Sequence, residues 1–266
     1  MNNISRKLQE LSKQNKTALV SYIVAGDPDL NISYNVMEKL IASGTDIIEL
    51  GIPFSDPIAD GKIIQDSSKR ALENNINLDD ILELTKRITM QYPDIPVILM
   101  GYFNPINKYG ITKFLQDAKN HNVSGLIIVD LPYEEIINYQ VFKKNNIVPL
   151  INLITPLTSK ERLKKINKIS SEFLYYISVF GTTGTKEPDL DLVTKELIRI
   201  KQQISHKLAI GFGIKNTKQV QKLKENTDLI VIGSAYCKII ADNLHDEEIL
   251  YERIALFNKI IAENLY

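Results

Sequence analysis

Apolar runs recur along the chain at fairly even intervals: ALVSYIVAG over residues 18 to 26, DIIELGI over 46 to 52, PVILMGY over 96 to 102 and GLIIVDL over 125 to 131. Four more follow, IVPLINLI (147 to 154), EFLYYISV (172 to 179), KLAIGFGI (207 to 214) and DLIVIG (228 to 233). These short, β-rich runs read as buried strands. Between them lie segments with apolar residues at helical spacing: NISYNVMEKLIASG, DDILELTKRI, ITKFLQDAKNH, YEEIINYQVFKK, SKERLKKINKI, DLVTKELIRIKQQI and NTKQVQKLKE. Alternation of strand and helix makes parallel βα units, and eight of them fit a closed (β/α)8 TIM barrel better than an open sheet. An extra N-terminal helix is expected before the first strand. The chain from Ala235 onward reads as helical, and Ser234 opens a short helix after strand eight. No low-complexity linker interrupts the series, so residues 1 to 266 are expected to form a single TIM-barrel domain.

Composition narrows the function more than the fold. Lys plus Arg and Asp plus Glu number 32 each, so the basic excess of a nucleic-acid or anionic-membrane binder is missing. No segment reaches the roughly 18 to 20 consecutive apolar residues that span a bilayer, and the N-terminus has no signal-type apolar core, which makes the cytoplasm the expected compartment. The single Cys237 has no Cys or His at ligand spacing, and His121, His206 and His245 are far apart, so no metal site is expected. Small molecules or other proteins remain as the partners to expect.

A barrel of this kind builds its site from the C-terminal ends of its strands and the loops that follow. In DIIELGI, alternation puts Ile47 and Glu49 on one face and Ile48, Leu50 and Ile52 on the other. The all-apolar face belongs against the helices, so Glu49 points into the barrel, where desolvation raises its pKa. A carboxyl so placed can both give and take a proton. Asp60 lies eleven residues on, in a segment punctuated by Pro and Gly; a bare turn role is its plain alternative, as pairing with a buried cation is for Glu49.

Glycine-bearing turns follow the last three strands: SVFGTTGT, GFGI and GSAY. Gly213, Gly233 and Ser234 suit a phosphate, because glycine lets backbone N–H groups approach an anion and a helix N-terminus favours negative charge. Turn geometry alone explains any one of them; their joint occurrence favours the anion. GTTGTKEPD reads as a loop able to close over a ligand.

At this point the sequence resembles the tryptophan synthase alpha subunit family. ELGIPFSDPIADG is similar to that family's signature almost position for position. MGYFNPINKYG, DLP, the pattern from Ser178 to Gly184, GFGI and GSA extend the likeness from about Tyr22 to Ile240. The resemblance implies retro-aldol cleavage of indole-3-glycerol phosphate to indole and glyceraldehyde 3-phosphate, with no cofactor in this chain. It implies Glu49 and Asp60 as catalytic groups, with Glu49 moving protons and Asp60 ionised against the indole N–H. An indole pocket of Tyr22, Met100, Tyr102, Ile127, Val129, Leu153, Tyr175 and Phe212 is implied too. Thr183 and Gly184 carry the closing-loop role, with the Thr183 hydroxyl reaching Asp60, and phosphate falls to the amides of Gly184, Gly213, Gly233 and Ser234. The implied partner is a pyridoxal-phosphate-dependent beta subunit in an alpha2beta2 heterotetramer, facing the loops with Asp56, Pro57, Asn104 and Pro105.

The sequence also departs from the family pattern. Tyr22 stands where Phe is common, Lys62 where Pro often follows Ala-Asp-Gly, Tyr133 where a second Pro is frequent, and Val179 and Phe180 where Arg and a small residue are common. The competing readings are another phosphate-binding barrel, such as indole-glycerol-phosphate synthase of the same pathway or a sugar-phosphate isomerase, and a catalytically idle barrel that serves a beta chain as activating subunit or ligand sensor. The synthase would want a catalytic Lys in a strand core, and none is offered; retention of Glu49 and Asp60 speaks against the idle barrel.

Overall fold

Eight parallel strands form the centre of the computed structural model, which describes residues 2–139, 142, 147–178, 189–211 and 213–265. They are β1 (Ala18–Val24), β2 (Ile47–Gly51), β3 (Val97–Gly101), β4 (Gly125–Ile128), β5 (Asn152–Ile154), β6 (Phe173–Ile177), β7 (Lys207–Gly211) and β8 (Leu229–Ile232). Their hydrogen-bonded order is β4-β3-β2-β1-β8-β7-β6-β5. A bridge between Leu126 and Leu150 closes the ring, with the Leu126 N–H donating to Pro149 and the Ile151 N–H to Leu126, both at 2.9 Å. All eight strands fall within the runs marked by apolar patterning, and the TIM barrel expected from the sequence is the fold observed.

Twelve α-helices are found among the described residues: α1 (Asn3–Lys13), α2 (Leu30–Ala42), α3 (Lys62–Glu73), α4 (Leu78–Gln91), α5 (Phe103–Tyr109), α6 (Ile111–Asn120), α7 (Tyr133–Ile136), α8 (Lys160–Ile169), α9 (Leu190–Lys201), α10 (Thr217–Leu223), α11 (Ser234–Asp242) and α12 (Glu247–Leu265). None is long and apolar enough to cross a membrane. Two of them, α3 and α5, were not marked by the periodicity. The buried face of α3 is Ser67, Ser68 and Ala71, small residues that let it pack closely but leave no apolar stripe to read. Tyr133 begins the four-residue α7, and residues 140, 141, 143 and 144 of its sequence pattern lie outside the described residues.

Alternation along the strands separates two cores. Ile48, Leu50, Leu99, Leu126 and Ile128 face the helices. Val20, Tyr22, Ile47, Ile98, Met100, Ile127, Phe173, Tyr175 and Ala209 fill the interior. Ile4, Leu8 and Leu11, at helical spacing on α1, join this interior cluster and stopper the barrel. Each such buried side chain contributes roughly 1.5 to 3 kcal/mol. Asn2 holds α1 in place twice over: its side chain accepts the Ile4 N–H at 2.8 Å and donates to the Ser124 carbonyl at 2.8 Å. Gly125, next in the chain, leaves the space that α1 occupies, since a Cβ there would come within 3.0 Å of Ile4.

Candidate active site

Glu49 sits on the interior face of β2, in register with Tyr22 of β1 and Ile98 of β3. It is 1% exposed, and neither carboxyl oxygen has a hydrogen-bond partner among the described residues. Burial without a partner disfavours the charged form, so the pKa is pushed up from 4.5 to about 8. At neutral pH this is a carboxylic acid that holds its proton, and the expected inward orientation is the one observed.

Asp60 belongs to the loop between β2 and α3. The loop holds it at three points: its N–H donates to the Pro57 carbonyl at 3.0 Å, its carbonyl accepts the Gln65 amide at 2.8 Å, and its carboxyl accepts the Tyr102 hydroxyl at 3.0 Å. Burial raises its pKa to about 6, and the Tyr102 hydrogen bond opposes the rise. Two carboxyls in one site thus differ in protonation near pH 7, Glu49 neutral and Asp60 ionised. Such separation suits one group to proton transfer and the other to charge stabilisation.

Tyr102 follows the last residue of β3, and its hydroxyl both donates to Asp60 and accepts the Ala59 N–H at 3.1 Å. Phe54 packs on its ring at a centroid distance of 5.2 Å. Behind this loop, α3 is locked to the end of β1 by Arg70, whose Nε and Nη2 both reach the Asp27 carboxyl at 2.7 Å. Asp27 is 1% exposed, and Asn74 adds a hydrogen bond to the Pro28 carbonyl at 2.7 Å. Gln65, Phe54, Arg70 and Asp27 were not singled out in the sequence. An Arg lying forty-three residues from its carboxylate gives no local signal.

Two interior tyrosines lean on glycines. A Cβ on Gly51 would lie 2.4 Å from the Tyr22 hydroxyl, and one on Gly211 would lie 2.1 Å from that of Tyr175. Burial raises both phenol pKa values well above the usual range, and the charges of Asp60 and Glu49 add to it, so both hydroxyls keep their protons. Met100 and Ile127 are buried in the same interior cluster, and Val129 and Leu153 pack against it half-buried.

On the other side of β1 from β2, after β7, Gly213 has φ +81, a left-handed conformation, and a Cβ there would meet no atom of the described residues within 4 Å. Gly233 is the N-cap of α11 and offers no side chain to it, leaving the first amides from Ser234 onward without a side-chain cap. Thr183, Gly184 and Phe212, with Val179 and Phe180, lie outside the described residues. Asp56 and Asn104 are exposed and Pro57 and Pro105 half-buried, on the loop after β2 and on α5. Lys62 is the first residue of α3 and pairs with Asp66 one turn on.

Together these features define a (β/α)8 barrel with a protonated carboxyl in its wall, an ionised one on a neighbouring loop, and glycine-lined strand ends facing them. A family model described as tryptophan synthase alpha chain matches residues 8–265. A tryptophan synthase alpha chain from Petrotoga mobilis is 42% identical over 254 residues, covering 95% of this chain and 97% of the relative. The subunit alpha from Legionella pneumophila has 33% identity and a TM-score of 0.92, over 100% of this chain and 98% of that one. A chain of the tryptophan synthase complex from Pyrococcus furiosus has 34% identity and a TM-score of 0.83, over 93% and 99%. The chain belongs to the tryptophan synthase alpha chain family.

Proposed function

We propose that this chain cleaves indole-3-glycerol phosphate to indole and glyceraldehyde 3-phosphate. The observation that carries the proposal is the buried Glu49 carboxyl, neutral and unpartnered among the described residues, in a site whose second carboxyl, Asp60, is ionised. Glu49 donates its proton to C3 of the indole ring. Positive charge spreads to the ring nitrogen, whose N–H donates to the Asp60 carboxylate, a contact that strengthens as the charge develops. The Glu49 carboxylate then takes the proton of the neighbouring glycerol hydroxyl. That oxygen becomes the aldehyde carbonyl, the carbon–carbon bond breaks, and its electron pair returns to the ring and neutralises the nitrogen. Glu49 ends as it began, protonated.

The indole ring is assigned to the interior wall of Tyr22, Met100, Tyr102, Ile127, Val129, Leu153 and Tyr175, and the phosphate to the amides of Gly213, Gly233 and Ser234. Phe212, Thr183 and Gly184 enter this scheme from the family resemblance alone. A non-catalytic barrel would leave a buried carboxyl without a partner and without a use.

The partner we assign is a pyridoxal-phosphate-dependent beta subunit, in a heterotetramer in the cytoplasm, covering the loops with Asp56, Pro57, Asn104 and Pro105. Ile58, 84% exposed beside Pro57, supports a face that is covered in an assembly. The test is indole release from indole-3-glycerol phosphate by the purified chain, with and without a tryptophan synthase beta subunit. Slow release that rises on adding the partner is expected; no release by the folded chain in either condition overturns the assignment.

A further inference from the structure

We infer that the Tyr22 hydroxyl is a hydrogen-bond donor to the glycerol chain of the substrate, which makes Tyr22 a specificity-determining residue for the polar half of that molecule. This rests on the reaction proposed above. The ring of Tyr22 lies across the ends of the two strands that flank β1: a Cβ on Gly233 would meet its Cδ1 at 2.9 Å, and one on Gly51 would meet its hydroxyl at 2.4 Å. The phenol therefore runs from the N-cap of α11 to the strand that carries Glu49, with its hydroxyl at the Glu49 end. Tyr22 is also the residue in register with Glu49 across the β1–β2 pair.

A substrate whose reacting carbon meets Glu49 and whose phosphate meets the Gly233 and Ser234 amides must lay the carbons between them along this wall. Those carbons bear hydroxyls. The Tyr22 side chain is 8% exposed, and its hydroxyl forms no hydrogen bond with the described residues. Burial and the nearby carboxyls keep it protonated, hence able to donate. With its ring packed and its hydroxyl uncommitted, Tyr22 can donate to an oxygen of the bound glycerol chain without first breaking a hydrogen bond within the described residues.

Tyr22→Phe removes the hydroxyl and keeps the ring on its two glycines. Calorimetric affinities of the wild-type and variant chains for glycerol 3-phosphate and for indole, together with KM for cleavage, test the assignment. Glycerol 3-phosphate is expected to bind about five- to tenfold more weakly to the variant, KM to rise by a similar factor, and indole affinity to stay unchanged. Unchanged glycerol 3-phosphate affinity, or an equal weakening of indole, overturns it, as does a wild-type chain that binds no glycerol 3-phosphate. Binding is read without turnover. A chain that shows the affinity difference but releases no indole therefore overturns the proposed reaction and supports the donor role.

Discussion

The Tyr102 hydroxyl connects the end of β3 to Asp60, donating to its carboxylate at 3.0 Å while accepting the Ala59 N–H at 3.1 Å. One phenol oxygen thereby fixes both the backbone of the loop and the direction of its carboxylate. It also holds the Asp60 pKa below the value that burial alone would give.

Tyr102→Phe should release that carboxylate. Without the donor the charged form of Asp60 is less favoured, so the acid limb of the kcat/KM profile moves upward from about pH 6. Activity at pH 7 is expected to fall by about tenfold, the size of one lost hydrogen bond to a charged group. A variant whose acid limb stays in place would show that Tyr102 does not set the ionisation of Asp60.

The two carboxyl values also define the profile of the wild-type chain. The proposed cleavage would need Asp60 ionised, which happens as pH rises through about 6, and Glu49 protonated, which is lost as pH rises through about 8. A bell-shaped dependence with limbs near these values is expected, reporting the pair rather than either residue alone. Activity that continues to climb through pH 9 would contradict the acid role of Glu49.

Glu49→Gln should abolish proton transfer with little change in shape, lowering kcat roughly a thousandfold while glycerol 3-phosphate still binds. The same variant bears on stability. In the unfolded chain the Glu49 carboxyl ionises near 4.5, in the folded chain near 8. Below the lower value both states are protonated and nothing is lost. Between the two, only the unfolded state ionises, so wild-type stability falls as pH rises. Gln has no proton to lose, so urea titrations should show the variant gaining on the wild type by on the order of 4 kcal/mol from pH 4.5 to 8. Parallel stability curves would mean that Glu49 is not held neutral.

Arg70→Met would leave Asp27 buried and unpaired, at a cost of about 3 kcal/mol in urea unfolding. Arg70→Lys should recover only part of this, because a single ammonium cannot reproduce the two-pronged contact of the guanidinium. Equal stability of wild type and Arg70→Met would place the attachment of α3 elsewhere, with the Asn74–Pro28 contact the next to test.

How much of this could be read from the chain depended on whether the signal was local. The inward direction of Glu49 follows from a two-residue period in a five-residue strand, and it was legible. The strands were legible for the same reason, although β5 occupies only the last three residues of its apolar run. Helix α3 was hidden because Ser67, Ser68 and Ala71 bury a face that carries no hydrophobic pattern. The grip of Tyr102 on Asp60 and of Arg70 on Asp27 joins residues some forty positions apart, a relation created by closing the barrel. Tyr22 and Tyr175 could be placed in the interior from the family pattern, but their seats on Gly51 and Gly211 became visible only in three dimensions.

Ile4, Leu8 and Leu11 plug the end of the barrel where β4 begins, away from the loop that carries Asp60. A substrate for the two carboxyls would then have to come in from the side of that loop. A protein seated there would stand in the path both of what is admitted and of what is handed on.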